Sequence, residues 1–96
     1  EVGSFAIERE GDVDPEKLNR WLSRLLSEKG VDIFRTKGFI SYAGESKRIV
    51  FQGVHMLFTA QPDKEWGNEP RRNQLVFIGR NLDEAEMIKE FDKCLV

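Results

Sequence analysis

The chain has little of what metal-binding and disulfide-stabilised domains need. Its 96 residues include one cysteine, one histidine and three prolines. One cysteine cannot form a disulfide framework inside the chain, and Cys94 with His55 cannot supply the four ligands of a zinc finger. We therefore expect a reducing, cytoplasmic compartment and a fold stabilised by packing.

The sequence also lacks a strong excess of charge and any long apolar run. Fifteen basic and seventeen acidic residues give a net charge of −2, a balance that fits neither a general nucleic-acid binder nor a disordered acidic tail. No apolar run approaches the ~20 residues of a membrane span, so we expect no membrane partner.

The common catalytic motifs are missing. The chain has no G-x-x-x-x-G-K-[ST] phosphate loop, no G-x-S-x-G nucleophile elbow and no H-E-x-x-H pair. Cys94 falls in the last turn of a predicted helix, where the helix dipole disfavours a thiolate. We interpret Cys94 as a small semi-buried apolar residue and expect no enzyme activity from this chain. The alternative is a free-standing enzyme with a Cys94 nucleophile.

The residues that are present predict one α+β domain over 1–96, because 40% of them are hydrophobic and apolar periodicity alternates between two and 3.6. We expect a mainly antiparallel four-stranded sheet with two helices packed on it, in the order strand, helix, three strands, helix. The predicted elements are a strand at Val2–Glu8, a helix beginning at Pro15, a hairpin of Asp32–Tyr42 and Lys47–Phe58, a strand at Asn73–Arg80 and a helix after Asp83.

Local signals place the ends of these elements. Asp14 and Asp83 are predicted N-caps, and Gly30 is the predicted left-handed stop of the first helix. Leu75–Ile78 is a continuous apolar run, typical of a central strand covered on both faces. The first two strands are expected to run the same way, either as neighbours or flanking another strand.

Thr59–Arg72 is predicted to be a long exposed loop, and such loops often carry function. Trp66 lies within it. Two interpretations stay open for this side chain, a lid over the edge of the core or an exposed anchor for a partner.

His55 is predicted to share a strand face with Ile49, Phe51 and Leu57. We prefer the interpretation of a packed, hydrogen-bonded residue. The alternative is an auxiliary metal ligand, which would need further ligands such as Cys94, a carboxylate, or residues of another domain.

The basic residues allow a second function. Arg35 and Lys37 are two apart on one predicted strand and point to the same side, while Arg48, Arg71, Arg72 and Arg80 fall near strand ends. With Phe39 and Phe51 for base stacking, they would make a single-stranded nucleic-acid-binding sheet. A solvated face paired with the many acids is the interpretation we prefer.

Four segments carry a family resemblance. They are Phe34–Phe39, Val50–His55, Pro62–Gly67 and Leu75–Asp83. In this order they resemble the C-terminal domain of the CobW-like GTPases, and most closely the zinc-regulated GTPase metalloprotein activator branch. The likeness covers nearly the whole chain.

This resemblance implies a larger protein in which a P-loop GTPase domain that binds GTP, magnesium and zinc precedes the chain. Such proteins deliver zinc or cobalt to a client metalloprotein, in the closest branch a methionine aminopeptidase. The chain begins without methionine and lacks both the phosphate loop and the family's C-x-C-C motif. We therefore assign no cofactor to its own residues and expect a non-catalytic interaction or regulatory module.

Such a module needs a surface whose contacts differ between nucleotide states, since only differential affinity couples hydrolysis to metal release. We hypothesise that Trp66, Arg71, Arg72 and Arg80 face either the GTPase domain or the client.

Overall fold

A computed structural model describes all residues from Glu1 to Val96. The strands are β1 (Val2–Glu10), β2 (Ile33–Ile40), β3 (Lys47–Val54), β4 (Leu57–Glu65) and β5 (Arg72–Arg80), and the helices are α1 (Pro15–Lys29) and α2 (Glu84–Asp92). The strands form one sheet in the order β1-β5-β2-β3-β4, with every neighbouring pair antiparallel. The α+β class is confirmed.

The sheet has five strands, so the predicted count of four is wrong. The run Lys47–Phe58 is broken by a turn at His55 and Met56, and the first half of the predicted loop Thr59–Arg72, as far as Glu65, belongs to strand β4. Neither feature has a clear signal in the sequence. The turn has no glycine, although His55 takes a positive φ of 57° there. Strand β4 is an edge strand with almost every residue exposed, so it lacks the apolar alternation of a half-buried strand.

Helix α1 begins as predicted but ends differently. The Asp14 carboxylate accepts hydrogen bonds from the backbone N–H groups of Glu16 at 2.9 Å and Lys17 at 3.3 Å. Gly30 is not left-handed; its φ is −55°, and the chain continues into a short 3-10 turn over Gly30–Asp32. A Cβ at Gly30 would crowd the Met56 side chain, so this glycine serves packing rather than chain reversal.

The core lies between the sheet and the two helices. Trp21 of α1 packs edge-on against Phe77 of β5 and Phe91 of α2, with ring centroids 6.4 and 6.2 Å apart. These three rings belong to one cluster of fifteen buried residues. Neither helix is long and apolar enough to cross a membrane.

The opposite side of the sheet, here called the open face, carries no helix. Strand β5 is central, as predicted, with β1 and β2 running the same way on its two sides. The expectation that both faces of β5 are covered is wrong, because its open-face residue Ile78 is 37% exposed. Both helices pack on one side, so the other side meets solvent.

Gly38 allows β2 and β5 to approach closely at the centre of the sheet. A Cβ at this position would overlap the backbone carbonyl of Gln74, whereas a Cβ at Gly3 would meet no atom within 4 Å.

We expect Gly38→Ala to lower the free energy of unfolding by about 2 to 4 kcal/mol, because the strands must separate to admit the methyl group. Gly3→Ala, the matched strand control, should change it by no more than about 0.5 kcal/mol. Urea unfolding followed by circular dichroism measures both values. Equal midpoints for the two variants would contradict the close approach of β2 and β5.

Candidate interaction surface

The sheet separates the residues predicted to bind partners into two groups. Trp66, Arg71 and Arg72 lie where β4 ends and β5 begins, which we call the Trp66 end. Arg80 and His55 lie at the other end, beside the turn between β3 and β4, which we call the hairpin end. Strands of eight or nine residues rise ~3.3 Å per residue, so roughly 25 Å separates the two groups. They cannot form one compact site.

Trp66 is buried, with only 4% of its surface exposed. Its ring packs edge-on against Phe39 of β2 at 6.3 Å between centroids, and its backbone N–H donates to the carbonyl of Ser46 at 3.0 Å. The side chain therefore covers one end of the open face and is not a free anchor. Its role toward a partner remains a prediction.

Two guanidinium groups flank the Phe39 ring. Arg48 and Arg72 lie 5.0 and 4.9 Å from the ring centroid, a distance at which a cation is attracted to an aromatic face. Arg48 also forms an ion pair with Asp63. Arg72 is exposed and makes no ion pair within 4 Å, although its cross-strand neighbour on β1 is Glu10.

Arg71 is held by its own domain. Its guanidinium donates to the Ser41 hydroxyl at 3.1 Å and to the Tyr42 carbonyl at 3.4 Å, and it lies 3.5 Å from the Asp12 carboxylate. These contacts join three segments of the chain at the Trp66 end. Arg71 is thus positioned to stabilise the fold, and only part of it remains available to another molecule.

Arg80 belongs to the hairpin end. Its Nε donates to the Asp32 carboxylate at 2.8 Å, and its guanidinium lies over the Phe34 ring at 5.9 Å. With Arg48 paired to Asp63 and Arg71 beside Asp12, three of the basic residues near strand ends have acidic neighbours. The continuous positive surface that nucleic-acid binding requires is interrupted by this pairing.

His55 is not on a strand face with Ile49, Phe51 and Leu57, as predicted. It is exposed in the turn between β3 and β4, where its backbone N–H donates to the Phe34 carbonyl at 3.1 Å. The chain contains no group of three His, Cys, Asp or Glu side chains arranged to hold a metal ion. A metal ligand role for His55 would need ligands from another domain or protein.

Cys94 is buried beside α2, with 2% of its surface exposed, and its Sγ lies 3.6 Å from the Glu90 carbonyl oxygen. Burial raises the pKa of the Cys94 thiol, and the nearby Glu90 carboxylate raises it further. Both effects favour the neutral thiol, which is a poor nucleophile. Cys94 was predicted to be semi-buried; it is fully buried and belongs to the core cluster.

Sequence reasoning missed a strip of residues on the open face. Ile78, Arg35, Val54 and Leu57 pair directly across β5, β2, β3 and β4 at the hairpin end. The shared orientation of Arg35 and Lys37 was predicted and is confirmed. The sequence pattern placed Val54 and Leu57 in one strand because it did not predict the turn at His55. In the structure they lie on two neighbouring strands and face each other.

The geometry defines a small α+β module with one helix-covered face and one open face. The chain belongs to the cobalamin synthesis protein CobW C-terminal domain family, whose model matches residues 2–95. It is 35% identical over 91 residues to the zinc chaperone YjiA of Escherichia coli, and 37% identical over 65 residues to the zinc chaperone CobW of Pseudomonas aeruginosa.

Solved structures agree with this membership. The chain is similar to the Zn(II)-bound YjiA GTPase of E. coli with a TM-score of 0.94 and 34% identity, covering 99% of this chain. A triple mutant of the same GTPase gives the same TM-score. The chain spans 29% of the length of YjiA and 17% of that of CobW.

We expect the Cys94 thiol to react with a soluble disulfide reagent at least about tenfold more slowly in the native chain than in urea, since reaction requires an exposed thiolate. Labelling kinetics in native buffer and in urea, with Cys94→Ala as the blank, measure the two rates. Because the pKa of the Cys94 thiol is higher in the folded chain than in the unfolded chain, the folded state also loses stability as the pH rises from the unfolded pKa to the folded pKa. Equal rates in native buffer and urea would contradict the burial.

We expect micromolar zinc to leave the His55 imidazole resonances of this chain unchanged, because one imidazole without two further ligands binds zinc weakly. A zinc titration followed by NMR, with His55→Asn as the assignment control, measures the shifts. A saturable His55 shift at micromolar zinc would show a metal site in the chain by itself.

Proposed function

We propose that the chain is the non-catalytic C-terminal interaction and regulatory module of a GTP-dependent zinc chaperone. The observation that carries this proposal is the alignment with YjiA over 95% of the chain, since YjiA is a zinc chaperone. In the proposed protein a preceding domain binds GTP, magnesium and zinc. The module contacts that domain or the client metalloprotein, of which a methionine aminopeptidase is the client the resemblance suggests; cobalt is the alternative cargo.

The chemistry of the chain supports a binding role. Its one thiol is buried with a raised pKa, and its one imidazole lies in an exposed turn at the opposite end of the sheet. On the open face, Arg35 and Lys37 have no acidic cross-strand partner, and Arg72, opposite Glu10, makes no ion pair within 4 Å. A rigid sheet with free cations can favour one nucleotide state of its neighbour through differential contacts.

The proposal is tested with the full-length protein and a version that lacks this domain. Zinc release during GTP turnover is followed with a chromogenic zinc chelator. We expect removal of the module to slow GTP-dependent zinc release by about tenfold or more, the size of an ordinary allosteric coupling. The purified chain should hydrolyse no GTP. Unchanged zinc release without the module, or GTP turnover by the chain alone, would overturn the proposed role.

A second arm of the same experiment examines the predicted interaction residues. Trp66 and Arg71 are structural, so their variants would also perturb folding. Arg72→Glu reverses a free charge, and Arg20→Glu on α1 is the control, because Arg20 is exposed and makes no ion pair. We expect only Arg72→Glu to change the zinc-release rate and its dependence on salt. Equal effects of both variants would remove Arg72 from the site, while Arg80 would remain to be tested separately.

A further inference from the structure

Exposed apolar side chains concentrate at the hairpin end. Seven large apolar residues of the chain are exposed, and only Val96 lies at the Trp66 end. The other six are Val2 (61%), Val31 (71%), Val54 (53%), Met56 (54%), Leu57 (78%) and Ile78 (37%). Single exposed apolar residues are ordinary, but a cluster marks a surface that another molecule covers.

Three of these residues, Val54, Leu57 and Ile78, lie in one row across the sheet. Ile78, Arg35, Val54 and Leu57 are direct cross-strand partners on the open face, and Cβ atoms of such partners lie about 4.5 to 5.5 Å apart. The Met56 side chain, at the tip of the hairpin, lies beside Gly30. The apolar strip therefore belongs to hydrogen-bonded strands of the sheet and not to a loop.

A free positive charge lies in the middle of this strip. The Arg35 side chain makes no hydrogen bond or ion pair, and its cross-strand partners Val54 and Ile78 are apolar. The same is true of the Lys37 side chain, the next open-face residue of β2, except that one of its cross-strand partners is Gln52. Asp32, an acid at this end, is already paired with Arg80 at 2.8 Å. A complementary surface would therefore carry apolar side chains around a carboxylate that meets Arg35.

The course of the chain indicates which molecule supplies that surface. Val2 pairs with Arg80, so the chain enters the sheet at the hairpin end, beside the strip. Val96 is at the other end, where its N–H donates to the Asp12 carbonyl at 3.0 Å. A domain joined to Glu1 by a short connection would lie next to the exposed apolar residues.

We infer that the hairpin end of the open face is the docking surface for the preceding GTPase domain, which presents an apolar patch with a carboxylate opposite Arg35. This inference rests on the proposed function, because that function supplies the preceding domain. Contacts between domains of one chain are commonly of mixed apolar and polar character, and this strip combines both. Arg72, at the Trp66 end, lies outside this docking surface.

The test is a zero-length cross-link in the full-length protein. Arg35→Lys places an amine at the centre of the strip, and a carbodiimide joins an amine to a carboxylate in contact with it, with loss of water. We expect peptide mass spectrometry to find this introduced amine joined to an Asp or Glu of the preceding domain within one molecule. Arg20→Lys on α1, the matched control, should give no such product.

A second pair of variants tests the apolar strip. Leu57→Glu in the Arg35→Lys background should reduce the cross-link about tenfold, as expected when a central apolar contact is replaced by a charge. Val96→Glu has the same chemistry at a residue of similar exposure, 76% against 78%, and should leave the yield unchanged. Circular dichroism should be native for both, since neither side chain is buried.

Three results would overturn the inference. They are a cross-link from the introduced amine only between two copies of the protein, a cross-link formed only when a client protein is added, and no cross-link dependent on Leu57. If one of these results is found but zinc release still requires the module, the docking inference is wrong and the proposed function stands. Loss of the module's effect on zinc release with an intact interdomain cross-link would instead contradict the function and not the docking.

Discussion

The structure depends on the burial of one face of the sheet against two helices. Phe77, on the internal strand β5, contacts Phe5 at 5.7 Å between ring centroids and Trp21 of α1 at 6.4 Å. Removal of this apolar surface from water is the main favourable term in folding. Because α1 and α2 both pack on the same side, no helix covers the opposite side, and apart from the end covered by Trp66 that face meets solvent.

The two ends of the sheet differ in how their polar groups are satisfied. At the Trp66 end, the fully buried Asn73 accepts the Ser41 N–H at 2.8 Å and donates to the carbonyls of Arg9 and Gly11. Buried polar groups paired in this way make one arrangement of the chain specific. The hairpin end has no such network. It combines exposed apolar side chains with an unpaired Arg35, so this end has the composition of a contact surface.

Membership of the CobW C-terminal domain family gives this architecture a functional setting. Cys94 and His55, the residues with the greatest potential for metal chemistry, lie at opposite ends of the sheet and are not brought together. The chain's one thiol and one imidazole therefore cannot act together within this chain. In a nucleotide-driven chaperone, a rigid surface of this kind acts by binding one state of its neighbour more tightly than the other.

Local signals in the sequence determined the α+β class, the Asp14 and Asp83 caps, the hairpin of β2 with β3 and the central position of β5, because periodicity and capping act over a few residues. The sequence did not reveal β4, the turn at His55 or the burial of Trp66. An edge strand has little apolar alternation, and the fate of an aromatic side chain depends on partners distant in sequence, here Phe39. Only the tertiary structure decided that Ile78, Arg35, Val54 and Leu57 stand in one row, since strand order and register are set by long-range pairing.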